Sequence, residues 1–312
     1  MIYTITLNPA VDKTIEIDNF EVGTLNRVSS VRLDAGGKGI NVSKVILSLG
    51  GKSKALGILG GISGKFIKEY LDHYGVDNDF IFMEKDTRTN LKIIDKVRKT
   101  NTDINEPGPD VDVKYIDMLK EKLFRILNKD SIVVFSGSTP KNIHKNIYYQ
   151  WIMSAKDIGA KTILDADDEL LKYGVQAGPF LVKPNINELE KLFNTSVKSI
   201  KQAVNLARSL INKYGIEIVV VSLGEKGALF LDKTCSIFSR GIKVDVKSTV
   251  GAGDAMVAAL AHSIDMGLGF DKSVKLAMAT ATANVLTSGT QPADYSEIAE
   301  LEKQITFEYI DF

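Results

Sequence analysis

Cysteine is nearly absent from this chain. Cys235 is the only cysteine in 312 residues, which excludes an intrachain disulfide and a cysteine-based zinc site. A chain of this length buries roughly 75% of the surface that its unfolded form exposes, so its core needs no covalent or metal cross-link. The three histidines (His73, His144 and His262) follow no metal-ligand spacing. The sequence therefore predicts a fold that is held together by its own apolar core.

An excess of one charge and long apolar runs are missing as well. The 39 basic and 39 acidic residues cancel, which excludes a globally basic nucleic-acid scaffold and an acidic disordered tail. No apolar stretch approaches the ~20 residues of a membrane span. Asp12 and Lys13 come before any signal-peptide core develops. We expect a soluble, cytoplasmic protein that binds neither nucleic acid nor membrane.

The chain instead contains short buried strands that alternate with longer helical patterns. The strand candidates are Ile2 to Leu7, Ile132 to Phe135, Thr162 to Leu164, Phe180 to Val182 and Ile216 to Val221. The helix candidates are Ile116 to Leu127, Tyr148 to Ile158 and Ile200 to Tyr214. Continuous apolar strands joined by helices predict an α/β fold with a mostly parallel sheet, covered by helices on both faces.

Two segments interrupt this rhythm. Residues 14–34 and 88–105 alternate polar and apolar side chains, as half-exposed strands do. We interpret them as a small antiparallel sheet that projects from the main domain, with a free apolar face that suits a lid or a dimer contact. Ordinary surface hairpins are the alternative.

Polar residues stand where each predicted strand of the main sheet ends. They are Asn8 and Asp12, Ser136 to Thr139, Asp165, Lys183 to Asn185, and Ser222 to Gly224. Ligands of an open parallel sheet lie beyond the carboxyl ends of its strands. The sequence therefore predicts one polar cleft along that edge of the sheet.

A glycine-containing segment, Ser248-Thr249-Val250-Gly251-Ala252-Gly253-Asp254, precedes an apolar helix from Ala255 to Ile264. Small residues leave the first helical amides unobstructed, and such amides form an anion site. A carboxylate at Asp254 would repel a phosphate, but it could take the proton of a hydroxyl that attacks one. This combination predicts phosphoryl transfer. The alternative is that Asp254 only favours the helix start through the helix dipole.

A second glycine cluster, Gly36-Gly37-Lys38-Gly39-Ile40-Asn41, leads into the helix from Val42 to Leu49. Lys38 offers a charge to a phosphate, and Asn41 offers a donor and an acceptor to sugar hydroxyls. The cluster matches neither the dinucleotide-binding fingerprint nor a Walker A loop. A glycine turn that merely caps a helix explains it equally well.

Three weaker clusters complete the set of candidates. Asn185 and Glu188 share one face at a helix start, which suits Mg²⁺ held mainly through water and nucleotide phosphates; a capping box is the alternative. Ser222 to Gly227 forms a glycine-bearing turn between two apolar strands, suited to backbone contact with a nucleotide. Arg88 could reach a substrate phosphate, or it is an ordinary solvated arginine.

Five motifs occur in order along the chain: Asn8-Pro9-Ala10-Val11-Asp12, Gly36 to Asn41, Ser136-Gly137-Ser138, Lys183-Pro184-Asn185 with Glu188, and Gly251 to Asp254. This set resembles the PfkB branch of the ribokinase-like carbohydrate kinases, from Met1 to about Gly289. The resemblance implies a three-layer α/β/α kinase domain over residues 1–312, with 12–34 and 88–106 as an inserted β lid. In phosphosugar kinases of this group the lid usually mediates dimerisation, so a homodimer is implied.

The resemblance also implies a role for each candidate residue. Asp254 would be the catalytic base, with Gly251, Ala252 and Gly253 as the anion hole. The sugar phosphate would bind at Asp12, Gly36, Gly37, Lys38, Asn41, Arg88 and Ser138. ATP would bind at Asn185, Ser222, Gly224, Gly227 and Asn284, and Asn185 with Glu188 would hold Mg²⁺, mostly through water.

The implied reaction is the phosphorylation of fructose 1-phosphate at O6 by ATP, which gives fructose 1,6-bisphosphate and ADP. Tagatose 6-phosphate and fructose 6-phosphate, phosphorylated at O1, are the alternatives; Lys38 argues against the latter because that branch typically has glycine there. A non-catalytic sugar-phosphate sensor would not need Asp254, Asn185 and Glu188 together. Ser248 stands where many relatives carry an aspartate that helps to place a monovalent cation, which argues against potassium activation.

Overall fold

A mostly parallel sheet forms the centre of the computed structural model, which describes residues 1–287 and 289–310. Its strands are β1 (Ile2–Thr6), β4 (Ser53–Gly60), β5 (Asp77–Asn78), β6 (Ile81–Met83), β9 (Ile132–Ser136), β10 (Lys161–Asp165), β11 (Leu181–Val182), β12 (Ile218–Ser222), β13 (Ala228–Leu231), β14 (Ser236–Ser239) and β15 (Phe307–Tyr309). Their order is β15-β14-β13-β12-β11-β10-β9-β1-β4-β5, and β6 also pairs with β4. The pairings from β4 through β1 to β12 are parallel, and those of β13, β14 and β15 are antiparallel.

Helices cover both faces of this sheet. They are α1 (Lys38–Ser48), α2 (Gly61–Tyr74), α3 (Val113–Ile126), α4 (Ile147–Asp157), α5 (Asp168–Gly174), α6 (Ile186–Phe193), α7 (Ile200–Tyr214), α8 (Ala252–Asp265), α9 (Phe270–Val285) and α10 (Tyr295–Glu302). Side chains of α3, α4, α5 and α7 form one core cluster with the sheet, and those of α1, α8, α9 and α10 form another. The predicted three-layer α/β/α fold is confirmed. No helix in the described residues has both the length and the apolar character needed to span a membrane.

Strand β9 shows why the sheet needs both helical layers. Its residues alternate in direction: Val133 and Phe135 belong to one core cluster, whereas Ile132 and Val134 belong to the other. Successive side chains of a strand point to opposite faces. Because all four are apolar and buried, the strand is stable only between two apolar layers.

A separate small sheet stands at the carboxyl edge of the main one. It consists of β2 (Ala10–Ile17), β3 (Ser30–Gly36), β7 (Arg88–Asp95) and β8 (Thr100–Asn105), in the order β3-β2-β7-β8. Its outer pairs are antiparallel, as expected, but the central pair β2–β7 is parallel. The reason is that both strands leave the same edge of the main sheet and run outward in the same direction.

Both glycine-led helices begin earlier than the apolar pattern predicts. The helix predicted from Val42 begins at Lys38, and the one predicted from Ala255 begins at Ala252. Gly37 and Gly251 are their N-caps, with φ of 115° and 85°, values that favour glycine. The motif residues therefore form the first turns of α1 and α8.

Candidate active site

A cleft of about 540 Å³ lies between the carboxyl ends of the main-sheet strands and the small sheet. The main sheet and its helices contribute Thr6, Asn8, Gly37, Lys38, Asn41, Ser136, Gly137, Ser138, Asp165, Asp167, Lys183, Asn185, Glu188, Ser222, Val250, Gly251, Gly253, Asp254, Gly289 and Thr290. The small sheet contributes Asp12, Thr14, Asp34, Arg88, Asn90, Leu91, Lys92, Asp103 and Asn105. The predicted polar cleft is therefore present at the predicted edge.

The N-terminus of α8 opens into this cleft. No side chain caps the helix, and Gly251 and Gly253 line the cleft while Ala252 does not. Asn284 lies behind the turn, where its Nδ2 donates to the carbonyl oxygen of Val250 at 3.2 Å. Asn284 thus supports the turn from the buried side and does not line the cleft.

Asp254 occupies the third position of α8 and is buried, with 6% of its surface exposed. Its Oδ2 accepts a hydrogen bond of 2.9 Å from Asn41 Nδ2. Burial raises the pKa of Asp254 to about 6, although Lys38 and the Asn41 bond oppose the rise. A carboxylate of this kind is ionised at neutral pH and is a much better proton acceptor than an ordinary aspartate.

Asp165 is a buried carboxylate between two lysines. Its Oδ2 lies 3.3 Å from Lys38 Nζ and its Oδ1 lies 3.2 Å from Lys183 Nζ. Burial raises the pKa of Asp165, but the two ammonium groups outweigh that effect and the net shift is downward. In return, Asp165 and Asp254 raise the pKa of Lys38 despite its burial, so Lys38 is a permanent positive charge in the cleft wall.

Asp12 lies on the inner face of the small sheet, opposite Asn90 and Asp34 in the ladder. Asn90 Nδ2 donates to Asp12 Oδ1 at 3.0 Å, and burial raises the pKa of Asp12. A Cβ on Gly36 would come within 2.1 Å of Asp12 Oδ2. Gly36 itself does not line the cleft; its lack of a side chain makes room for the carboxylate.

Arg88 joins the small sheet to the end of β1. It donates from Nε to the carbonyl oxygen of Pro9 at 3.4 Å, from Nη1 to that of Glu106 at 2.7 Å and from Nη2 to that of Asn8 at 3.0 Å. Asn8 in turn donates to Ser138 Oγ at 3.2 Å. Both Arg88 and Ser138 line the cleft.

Asn185 and Glu188 form a capping box at the start of α6. The Glu188 amide donates to Asn185 Oδ1 at 2.9 Å, and the Asn185 amide donates to Glu188 Oε2 at 2.8 Å. Both side chains line the cleft, and burial raises the pKa of Glu188. The capping alternative therefore holds, and it leaves room for a second role, because a carboxylate has more lone pairs than this bond uses.

The predicted nucleotide turn divides into two parts. Ser222 lines the cleft and bridges Asn185, whereas Gly224 and Gly227 lie in the turn beyond it and do not. Gly227 has a φ of 109°, and a Cβ there would come within 2.0 Å of the Ser239 carbonyl oxygen. Gly227 is therefore required by the packing of the turn itself.

Several buried polar atoms of the cleft have no partner among the described residues. They are Thr6 Oγ1, Asn41 Oδ1, Asn90 Oδ1, Ser136 Oγ and Thr290 Oγ1. Buried polar atoms in proteins are nearly always hydrogen-bonded. A cluster of unsatisfied ones in a single cleft indicates a site built for a polar ligand.

A family comparison decides what kind of protein has this cleft. The model of the family described as "pfkB family carbohydrate kinase" matches residues 5–297. This chain belongs to the pfkB family of carbohydrate kinases. The resemblance stated from the motifs is confirmed, and the chain is accordingly an ATP-dependent sugar kinase.

Curated pfkB relatives cover almost the whole chain. It is 37% identical over 311 residues to a 1-phosphofructokinase of Borreliella burgdorferi, covering 99% of each chain. It is 32% identical over 312 residues to a tagatose-6-phosphate kinase of Staphylococcus epidermidis, covering 98% of each. Among solved structures, the phosphofructokinase-2 of Escherichia coli in complex with substrates and products superposes with a TM-score of 0.94 at 29% identity, over 97% of this chain and 98% of that one.

The structure also adds residues that sequence reasoning gave no role in this pfkB cleft. Asp165 stood only as a polar strand end, Lys183 as a strand end and a motif residue without a role, and Asn90 only within the predicted segment 88–105. For Asp165 and Lys183 the signal was position, since each ends or follows a predicted strand; for Asn90 the sequence offered none. Nothing in the local sequence indicates that Lys38 and Lys183 share Asp165, since the three residues lie on different elements.

Proposed function

We propose that this kinase transfers the γ-phosphoryl group of ATP to O6 of fructose 1-phosphate, giving fructose 1,6-bisphosphate and ADP. One observation carries the proposal: a buried carboxylate, Asp254, in the first turn of a helix whose amide end is open to the cleft, with Lys38 close enough to lower its pKa. Phosphoryl transfer needs a base for the acceptor hydroxyl and fixed positive charge for the moving group. This arrangement supplies both.

In the proposed step, Asp254 accepts the O6 proton while the new O6–phosphorus bond forms. The bond from the γ-phosphorus to the bridging oxygen breaks, and ADP leaves with that electron pair. The amides at Gly251 to Gly253 and the Lys38 ammonium stabilise the charge on the transferring group. The proton then passes from Asp254 to solvent.

The sugar phosphate would bind against the small sheet. Asp12, oriented by Asn90, would accept hydrogen bonds from sugar hydroxyls, with Gly37, Asn41 and Ser138 nearby in the same cleft. Three N–H groups of Arg88 are engaged by carbonyl oxygens. A guanidinium has five N–H groups, so Arg88 could hold the chain and still donate to the phosphate.

The cleft also fits Mg²⁺ bound with the nucleotide. Within the described residues no three His, Cys, Asp or Glu side chains could hold a metal by themselves. Mg²⁺ that keeps its waters and binds nucleotide phosphates needs only one or two protein oxygens, and Glu188 with Asn185 offers them in the cleft wall. Such an ion neutralises phosphate charge. Ser222 would contact the nucleotide beside it.

The choice of sugar rests on the relatives. Three 1-phosphofructokinases are 35–37% identical to this chain, against 32% for the tagatose-6-phosphate kinase of Staphylococcus epidermidis. This difference in sequence identity is small. A ketofuranose is also nearly symmetric end to end, so phosphorylation at O6 of one ester and at O1 of another requires similar sites. Tagatose 6-phosphate phosphorylated at O1 is therefore the second candidate, and fructose 6-phosphate the third.

The test is ADP release measured with fructose 1-phosphate, tagatose 6-phosphate, fructose 6-phosphate and free fructose. We expect the highest kcat/KM with fructose 1-phosphate and almost none with fructose. A higher value for either 6-phosphate would refute the substrate assignment, and phosphosugar binding without ADP release would indicate a sensor.

The assigned base is tested separately. Asp254→Asn should lower turnover by orders of magnitude while ATP binding is retained; a variant that keeps most of its activity would refute the assigned base.

A homodimer through the small sheet is part of the proposal. The face opposite Asp12 presents Val31, Leu33 and Ile104, which are 53%, 43% and 51% exposed in the single chain. Large exposed apolar side chains on a free sheet face often mark an interface. Sedimentation should show a dimer that Leu33→Glu converts to a monomer, whereas Ile62→Glu, an equally apolar exposed site on α2, should leave it intact. A monomeric parent chain would contradict the dimer.

A cytoplasmic location completes the proposal, because the reaction consumes ATP and phosphosugars. Fractionation of cells that express the chain should recover it with cytoplasmic marker proteins. Recovery with an extracytoplasmic fraction would contradict this location.

A further inference from the structure

Lys44 is a lysine whose whole side chain lies in the interior. It is 1% exposed and ranks among the largest fully buried side chains. Its Nζ donates to the carbonyl oxygen of Ala35 at 2.8 Å. An ammonium group has three donors and is costly to bury without compensating charge. The surroundings of Lys44 must therefore supply that charge.

Three carboxylates that line the cleft supply it. Asp34 on β3, Asp12 on β2 and Asp254 on α8 each favour the charged form of Lys44, and Arg32 opposes them. Each carboxylate has its own polar partner: Arg32 Nε donates to Asp34 at 2.8 Å, Asn90 to Asp12, and Asn41 to Asp254. Tyr70 on α2 and Gln291 also contact Asp34, at 3.3 and 3.5 Å. Lys44 thus lies behind the acidic side of the cleft.

The hydrogen bond of Lys44 ends at Ala35, close to the point where the small sheet joins α1. Ala35 is the next-to-last residue of β3, which ends at Gly36, and the Gly36-Gly37 turn leads directly into Lys38 and α1. Lys44 and Asn41 are three residues apart on α1 and therefore share one face. The same helix face thus holds both the turn beside Asp12 and the carboxylate of Asp254.

We propose that Lys44 is a positioning residue for the reaction: its buried charge neutralises the wall formed by Asp12, Asp34 and Asp254 so that an anionic sugar phosphate can bind against it, and its hydrogen bond holds the Gly36-Gly37 turn. This inference rests on the proposed function, because it assumes that the phosphosugar binds at Asp12. It adds a residue that does not line the cleft and acts through those that do.

The charge of Lys44 responds to pH in an accessible range. Burial lowers the pKa of Lys44 to about 8, against the pull of Asp34, Asp12 and Asp254. As pH rises through that value the ammonium loses its proton, and three carboxylates then face the sugar phosphate without this counter-charge. Binding of the phosphosugar should weaken, whereas Asn185 and Ser222, which are proposed to bind ATP, lie at other elements, the N-cap of α6 and the end of β12.

The experiment is the pH profile of kcat/KM for the phosphosugar at saturating ATP, from pH 6 to 10. The parent enzyme should lose efficiency on the alkaline side with an apparent pKa near 8. Lys44→Arg should abolish this alkaline limb because a guanidinium stays protonated. Lys44→Met should raise the KM for the phosphosugar about tenfold at pH 7. It should leave the KM for ATP unchanged and show no alkaline loss of kcat/KM.

Lys156→Met is the control. Lys156 also donates to a backbone carbonyl, that of Ala177 at 2.7 Å, but it lies away from the cleft. The pH profile of kcat/KM in this variant should therefore match that of the parent enzyme.

Several results would overturn the proposal. They are a parent profile that stays flat to pH 9.5, an alkaline limb that persists in Lys44→Arg, or a Lys44→Met enzyme with an unchanged KM. If neither variant folds, the NMR titration of the Lys44 side chain in the parent enzyme decides, since its midpoint must coincide with the limb. The same limb is expected in the dissociation constant of fructose 1-phosphate, which requires no turnover. An enzyme that binds in this way but releases no ADP would refute the proposed function and leave the role of Lys44 standing.

Discussion

Asn41 Nδ2 and Asp254 Oδ2 lie 2.9 Å apart and join the starts of two helices that are 213 residues apart in the chain. Each helix, α1 and α8, is preceded by a glycine N-cap with positive φ, and both glycines line the cleft. The bond fixes the orientation of the buried carboxylate relative to the amides of its own helix. Asn41, which we expected to contact the sugar, is thus also bonded to the proposed base.

Replacing Asn41 should therefore change the titration of Asp254. The Asn41 hydrogen bond lowers the pKa of Asp254, so Asn41→Ala should raise it above about 6. The acid limb of kcat/KM, where activity falls as the base becomes protonated, should move to higher pH, and turnover should fall about tenfold. Asn142→Ala removes a comparable bond, to the Val111 carbonyl at 2.8 Å, outside the cleft and should leave the limb in place. An unmoved limb in Asn41→Ala would contradict the coupling.

Gly36 makes room for Asp12, so adding one methyl group there should disturb the sugar site alone. A Cβ at Gly36 would lie 2.1 Å from Asp12 Oδ2, whereas one at Gly269 would have no neighbour within 4 Å. Neither glycine has a positive φ, so both alanine variants should fold. Gly36→Ala should raise the KM for the phosphosugar at least about tenfold without changing that for ATP, and Gly269→Ala should match the parent enzyme. Equal KM values in the two variants would contradict the role of Asp12.

The two roles of Glu188 can be separated by a pair of substitutions. Gln at this position keeps an oxygen that accepts from the Asn185 amide, which Glu188 now binds at 2.8 Å, but it removes the charge. Glu188→Gln should therefore melt close to the parent enzyme while the Mg²⁺ concentration for half-maximal activity rises about tenfold. Glu188→Ala should show the same Mg²⁺ effect and lose about 1 kcal/mol of stability in addition. An unchanged Mg²⁺ requirement in Glu188→Gln would indicate a capping role alone.

Ionised Asp254 should lower the free energy of unfolding at neutral pH. Burial raises its pKa from 3.8 to about 6, so the folded state binds more protons than the unfolded state between these values. The native state is therefore destabilised as pH rises through this window, by at most about 3 kcal/mol. Asp254→Asn should be more stable than the parent enzyme at pH 7 and similar at pH 4, as measured by urea unfolding. A less stable variant at pH 7 would contradict the raised pKa.

Elements with a strong local pattern were predicted accurately. The helix predicted from Ile200 to Tyr214 is observed with these bounds, because its apolar residues recur at helical spacing and Gly215 ends it. The start of α8 was predicted three residues late, because Gly253 and Asp254 separate Ala252 from the apolar run that begins at Ala255. The parallel pairing of β2 with β7 was not predicted either, since it depends on how two remote segments leave the main sheet.

The same distinction between local pattern and tertiary packing applies to the residues of the site. By itself the amino-acid sequence determined the alternating strands and helices, the polar strand ends and the glycine turns, since each of these depends on neighbours within a few positions. Only the tertiary structure decided that Asp165 lies between Lys38 and Lys183, and that Lys44 lies behind Asp12, Asp34 and Asp254. These relationships depend on strand order and helix packing, which bring together charges from distant parts of the chain. Burial then determines how strongly those charges act on one another.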